Sequence, residues 1–313
     1  MQITLEVVLP IFGLIAVGFA VGRTALLGPE GVRGLSNFVF YVAIPALLFR
    51  TLSQGLPSRT LDWTVLFAYF GGAFATFAVA AAVGSLVFRL PVREAGLMGM
   101  GAGFANVVMM GIPLIATAFG PSGLIPVILI VAFHSVLLIG GTTLWLETAQ
   151  GGRGGFGPTL AATARSLLGN PVMLGMAAGV GYCLTGLGLW APVDRFTQLL
   201  SHAAAPCALF ALGATVAGFR LGGRVPQTLF LVGCKMLLHP ALVFVLSTWV
   251  FAVDPVWAAI ATIAAALPTG ANVFILARRY DAYVDGISSA ILLSTGLSIG
   301  SLALLLAMLG PTR

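Results

Sequence analysis

Two asparagines stand in apolar stretches beside residues that break helices. One stretch reads Gly103-Phe104-Ala105-Asn106-Val107-Val108-Met109-Met110-Gly111-Ile112-Pro113, the other Ala266-Leu267-Pro268-Thr269-Gly270-Ala271-Asn272-Val273-Phe274. Proline has no N–H to donate, so Pro113 frees the carbonyl of Met109 and Pro268 that of Ala264. An asparagine amide both donates and accepts, and a helix N-terminus that opens after such a break offers the positive end of its dipole. Together these groups suit an anion. The bland alternative is a pair of proline kinks in which each asparagine merely bonds to freed carbonyls. On the first reading Asn106, Asn272, Gly111, Pro113, Pro268, Thr269 and Gly270 form a substrate site.

Lys235 is the only lysine and falls inside another apolar run. A cation at membrane depth costs at least ~2.5–3.5 kcal/mol on insertion scales, so it needs a partner or a wet cavity. No Asp or Glu lies in the middle of any apolar run to pair with it. Either an anionic substrate does so, which adds Lys235 to the binding set, or the side chain snorkels to an interface. His239 lies one turn further along the same face. His134 and His239 both fall near mid-run, where an imidazole could relay protons or simply bond neutral to backbone. His202 is expected to pack between helices.

Nothing points to catalysis. Paired acids, a His/Cys metal cluster and a nucleotide loop are all missing, which excludes ATP-driven transport by this chain alone. Gly152-Arg153-Gly154-Gly155-Phe156-Gly157 spells G-x-G-x-x-G, but no strand precedes it and no acid follows at the ribose distance. Gly120-Pro121-Ser122-Gly123 resembles the G-x-S-G of intramembrane serine proteases, yet Ser122 falls in a short turn. Cys183, Cys207 and Cys234 lie in apolar runs without paired spacing and read as structural thiols.

The elements that must position these residues are membrane spans. Of 313 residues 59% are hydrophobic and only 8% charged, too few charges to cover a water-facing surface. Apolar runs long enough to cross a bilayer fall near 4–22, 31–50, 62–88, 95–118 and 123–147, then near 167–189, 195–218, 227–250, 255–277 and 285–309. The expected fold is therefore an all-α integral membrane bundle of ten spans: a first unit over 1–148, a Gly-rich linker over 149–166 and a second unit over 167–313. The first run carries Gln2 and Glu6 and no basic residue ahead of it, so a cleaved leader is not expected. Gly18/Gly22 and Gly296/Gly300 read as close helix packing.

Sliding one half by 161 positions lays Pro10 on Pro171, Gly18 on Gly179, Pro45 on Pro206 and Leu48-Phe49 on Leu209-Phe210. After five more inserted residues Ala105-Asn106-Val107 meets Ala271-Asn272-Val273. Five spans is an odd number, so the second copy enters from the opposite side, an inverted repeat whose matched breaks point to a midplane site. Ten arginines fall in one set of alternate loops, Arg89, Arg153, Arg224 and Arg279 among them, against Arg50, Arg59, Arg195 and Arg313 in the other. That asymmetry puts both termini outside and the linker in the cytoplasm, in an inner (plasma) membrane, and explains the basic balance without nucleic acid.

The two Asn-bearing breaks, with Val42-Ala43-Ile44-Pro45-Ala46-Leu47-Leu48-Phe49 and Asn170-Pro171, resemble the auxin efflux carrier family over essentially the whole chain. The resemblance implies a ten-helix fold like that of bile-acid sodium symporters, with spans four and nine crossing at the substrate. It implies that Asn106 and Asn272 contact a substrate carboxylate, and that spans 3–5 and 8–10 move against 1, 2, 6 and 7. The long hydrophilic loop of the plant exporters is missing. The function expected is alternating-access transport of a small mono- or dicarboxylate or auxin-like acid, without a cofactor beyond Na+ or H+ as coupling ion. Its partners are that anion and membrane lipid, with a homodimer as one assembly left open. A sodium-coupled symporter of a bile-acid-like amphipathic anion, an intramembrane hydrolase and a receptor without flux are the rivals.

Overall fold

The computed structural model describes residues 2–55, 62–149 and 169–310, with side chains from residue 7 onward. Residues 150–166 of the Gly-rich linker and the positions Arg59, Arg153, Arg165 and Arg313 lie outside what it describes. The helices are α1 (Gln2–Gly22), α2 (Gly28–Ser53), α3 (Thr64–Leu86), α4 (Val92–Gly103) and α5 (Val107–Ala149). They continue as α6 (Pro171–Leu184), α7 (Ala191–Ala217), α8 (Val225–Val250), α9 (Pro255–Ala265), α10 (Ala271–Arg279) and α11 (Val284–Leu309). Among the described residues there is no strand, only an isolated antiparallel bridge between Ala105 and Thr269.

Six helices, α2, α3, α5, α7, α8 and α11, are long and apolar enough to cross a membrane. The apolar stretches Val7–Gly22, Pro171–Leu184 and Pro255–Ala265 are shorter. The expected fourth span is cut into α4 and the start of α5, and the expected ninth into α9 and α10. The expected fourth and fifth spans run together in α5, whose 43 residues would measure about 65 Å as one rod, twice a bilayer core. Gly120, at φ 70° and ψ −166°, bends it, a conformation open to glycine and closed to other L-residues.

Proline also shapes these helices in a regular way. Wide π-type turns cover Val39–Ala43, Val107–Gly111 and Cys234–Leu238. Each ends two residues before a proline: Pro45, Pro113 and Pro240. The N–H groups of Ile44, Ile112 and His239 reach back five residues to Val39, Val107 and Cys234. A wider turn just ahead of the proline relieves the clash between its ring and the preceding turn.

Helix packing rests on small residues, as it must where lipid gives no hydrophobic drive between helices. A Cβ at Gly18 or Gly22 would overlap Phe210 or Ala214 of α7, and one at Gly175 or Gly179 would overlap Pro45 or Phe49 of α2. Gly296 and Gly300 differ from the expectation: nothing lies within 4 Å of a Cβ at either, and both face outward on α11. His202 is exposed rather than packed between helices, because it sits on the outer side of α7 opposite the buried Ser201 and Ala204. Large apolar side chains such as Phe67, Leu237 and Trp249 are exposed around the bundle, a surface suited to lipid. Arg50 pairs with Asp194 at 2.8 Å, joining the end of α2 to the start of α7.

Candidate functional site

The two breaks meet. Gly270 N–H donates to the Phe104 carbonyl at 3.1 Å, and Asn106 N–H donates to the Pro268 carbonyl at 2.9 Å. Unpaired backbone costs several kcal/mol per group in hydrocarbon. Each break supplies the partners the other lacks, which is why neither is viable alone. Thr269 fastens the junction: its N–H donates to Ser294 Oγ at 3.1 Å and its hydroxyl to the Gly101 carbonyl at 2.9 Å.

A cavity of about 340 Å³ opens beside this crossing. Asn106, Asn272, Gly270 and His134 line it, joined by Phe104, Ser135, Asn170 and Arg279. Asn106 is 7% exposed; its carbonyl accepts from Met110 and Gly111, but its side chain caps nothing. Among the described residues neither the Asn106 nor the Asn272 side chain has a hydrogen-bond partner. The kink reading, in which they satisfy freed carbonyls, therefore does not describe them. The starts of α5, α6 and α10 all border the cavity, so the positive ends of three helix dipoles lie beside the same space. Asn170 Oδ1 accepts from Val172 N at 2.9 Å, which leaves its NH2 group free to donate. Among the described residues no Asp or Glu lines the cavity.

The other residues singled out from sequence hold the crossing and do not line the cavity. Pro268 and Thr269 bond as described, Gly111 packs under Leu267, and Pro113 is buried with its carbonyl taken by the Thr117 hydroxyl at 2.8 Å. Gly270 leaves room for the Phe104 ring, which stacks at 4.3 Å from His134.

Lys235 is fully buried, neither snorkelling nor at the cavity. Its Nζ donates to the Ala265 carbonyl at 2.6 Å and meets His239 Nδ1 at 3.0 Å. The freed carbonyl is thus that of Ala265 and not of Ala264, because α9 closes with a tight turn in which Leu267 N–H reaches the Ala264 carbonyl at 3.4 Å. A cation at a helix C-terminus is well placed against the dipole. An ammonium only donates, so the His239 proton sits on Nε2. His239 Nε2, His134 Nε2 and the Tyr69 hydroxyl are buried without partners, and the Tyr69 ring lies 5.9 Å from His134 and 5.7 Å from His239. A polar cluster therefore runs from the cavity wall to Lys235. At the cavity's outer end Tyr280 donates to Glu147 at 2.7 Å, and burial followed by that carboxylate pushes its phenol up to about 12.

Among the described residues no group of His, Cys, Asp and Glu is arranged to hold a metal ion. Ser122 is exposed and bonds to the Phe119 carbonyl at 3.4 Å, with no cleft of its own. The cavity is walled mainly by apolar side chains, Phe104, Val108 and Ile275 among them, and the amides of Asn106 and Asn272 and the Arg279 guanidinium are set into that wall. The family model described as "Membrane transport protein" matches residues 3–153 and 160–306. The chain belongs to that family, the one that contains the auxin efflux carriers.

Two of three similar proteins carry a transporter name and the third a signaling name. A protein of Rhizobium meliloti (strain 1021) named "Putative malonate transporter" is 31% identical over 303 residues, 96% of this chain and 94% of its own. An "Uncharacterized transporter" of Methanothermobacter thermautotrophicus is 26% identical over 312 residues, 96% of each chain. The "Lysosomal cholesterol signaling protein" of Mus musculus is 29% identical over 110 residues, 34% of this chain and 13% of its own. Family membership and multiple apolar spans make this a multi-pass membrane transport protein.

Sequence reasoning missed four cavity residues. Arg279 was legible in principle, since 272, 275, 276 and 279 share one face of a helix; as one of ten arginines in alternate loops it read as topology. Ser135 follows His134 without any signal of its own, Phe104 carries none, and Asn170 stood out with Pro171 only as part of the family resemblance.

Proposed function

We propose that this chain is a secondary carrier of a small organic anion, built as ten spans in two inverted repeats and working by alternating access. One observation carries the reading: Asn106, more than nine-tenths buried, presents an unpartnered amide to a cavity that the starts of three helices border. The repeat is supported by paired contacts. Gly18 packs on Phe210 while Gly179 packs on Phe49, and sliding by 161 exchanges one contact for the other. The Rhizobium relative's name makes malonate the first anion to try.

The cavity reaches from the crossing to Arg279, at the end of the bundle where Tyr280 meets Glu147. Arg89 and Arg224, two of the loop arginines, lie together around a second cavity that Glu94, Asp281 and Asp285 also line. The positive-inside bias makes that the cytoplasmic end, with both termini outside. Coupling falls to protons, through the cluster of His134, Tyr69, His239 and Lys235, since Lys235 already occupies the freed carbonyl that would attract sodium.

Counterflow of labelled malonate in proteoliposomes tests the transport. Exchange that depends on internal unlabelled malonate is expected; saturable binding without exchange would make the protein a receptor. In whole cells, cysteine at Arg195 should be labelled from outside and cysteine at Arg224 only after permeabilisation. The reverse pattern would invert the topology.

A further inference from the structure

The cavity holds two separate centres for negative charge. One is the crossing, with Asn106, Asn272 and the helix starts. The other is Arg279, the only charged side chain among the described residues that line the cavity.

Arg279 follows Asn272 by seven residues on the same face of α10, two turns away, with Ile275 between them on the cavity wall. Seven residues of helix advance about 10 Å. The guanidinium carbon rests 5.8 Å over the Tyr280 ring, and a rotamer leaning back toward the helix N-terminus closes much of that distance toward the crossing. What remains suits a molecule of a few carbons with an anionic group at each end.

Arg279 has no carboxylate of its own. The one side-chain salt bridge among the described residues joins Arg50 to Asp194. The nearby Glu147 accepts from the Tyr280 hydroxyl, and Arg279 itself only overhangs the Tyr280 ring at 5.8 Å. Its neighbour Arg278, exposed as Arg279 also is, does not line the cavity. Dipole compensation at the end of α10 and the positive-inside bias both account for Arg278. Neither accounts for a guanidinium facing the anion cavity.

We propose that Arg279 is the specificity residue for a second carboxylate, and that the substrate class is short dicarboxylates over monocarboxylates. The planar guanidinium binds a carboxylate bidentately, while the amides and helix starts take the first carboxylate. This rests on the anion-carrier reading of the same cavity.

The test compares malonate with its monomethyl ester, which keeps the carbon skeleton and removes one charge. Both compete for counterflow in proteoliposomes holding wild type, Arg279→Gln, Arg279→Lys, Arg278→Gln or Asn106→Ala. The wild type should favour malonate. Arg279→Gln should weaken malonate roughly 10- to 150-fold and leave the monoester unchanged, so the preference disappears. Arg279→Lys should recover part of it, and Arg278→Gln should keep all of it. Asn106→Ala should weaken both ligands together. Equal weakening of both by Arg279→Gln, or the same loss from Arg278→Gln, overturns the assignment and leaves the carrier reading standing. A wild type that takes neither compound overturns both. Melting temperatures alongside separate lost affinity from lost fold.

Discussion

The two broken spans carry the same Ala-Asn-Val, yet they are built differently. In the first, α4 ends at Gly103 and α5 begins at Val107, so Asn106 is the last non-helical residue before a helix and is buried. In the second, α9 ends at Ala265 and α10 begins at Ala271, so Asn272 is already inside the first turn and is exposed to the cavity. The second break is two residues longer, and only there does a buried lysine hold the end of the broken helix. A repeated motif therefore guarantees a repeated break and not a repeated role. The first half supplies a fixed amide in a dry wall. The second supplies a wetter helix start, a cationic clamp behind it and an arginine two turns along.

The largest effect should come from setting the asparagines against each other. Asn106→Ala removes one hydrogen bond to a charged group and should weaken anion binding roughly 10- to 150-fold. Asn106→Asp should be worse, because it puts a like charge in a low-dielectric wall. The same changes at Asn272 should cost less at each step, since water reaches that site. Substrate affinity with melting temperature on all four variants checks this. Equal losses in both halves would mean that the difference in burial is irrelevant, and normal affinity in both Ala variants would remove the crossing as the binding site.

Next in size is the clamp of the second half. Lys235→Met strands the Ala265 carbonyl and His239 Nδ1 in a buried place, which should lower stability by about 1–3 kcal/mol. The readout is thermal melting in detergent, with and without malonate. A variant that melts like wild type but no longer binds malonate would make Lys235 a substrate ligand and the carbonyl contact incidental.

The smallest effect concerns the buried cluster behind the first break. His134→Gln with His239→Gln should flatten the pH dependence of uptake while leaving affinity at neutral pH near that of wild type. An unchanged profile would take protons away from this cluster and reopen sodium.

Much of this arrangement is written in short stretches of sequence. The apolar runs follow from composition over some twenty neighbours, and the breaks from Pro113, Pro268 and Gly270, whose effects reach only a turn away. The pairing of Asn106 with Asn272 followed from the repeat. Length alone misled where α5 continues past Gly120, since two apolar runs in sequence do not say where the helix bends.

What only the tertiary structure decided are contacts between residues far apart. Lys235 and Ala265 are thirty positions apart, and nothing local to either says that an amine will meet that carbonyl. Nor does anything near Pro268 say that the turn at Leu267 will satisfy Ala264 and leave Ala265 free. Arg279 shows the same limit: its face on α10 is fixed by helical periodicity, but a face becomes a cavity wall only when other helices close around it. Sequence sets which groups are present and how each segment must bend; the crossing of two distant breaks decides which of them face one another.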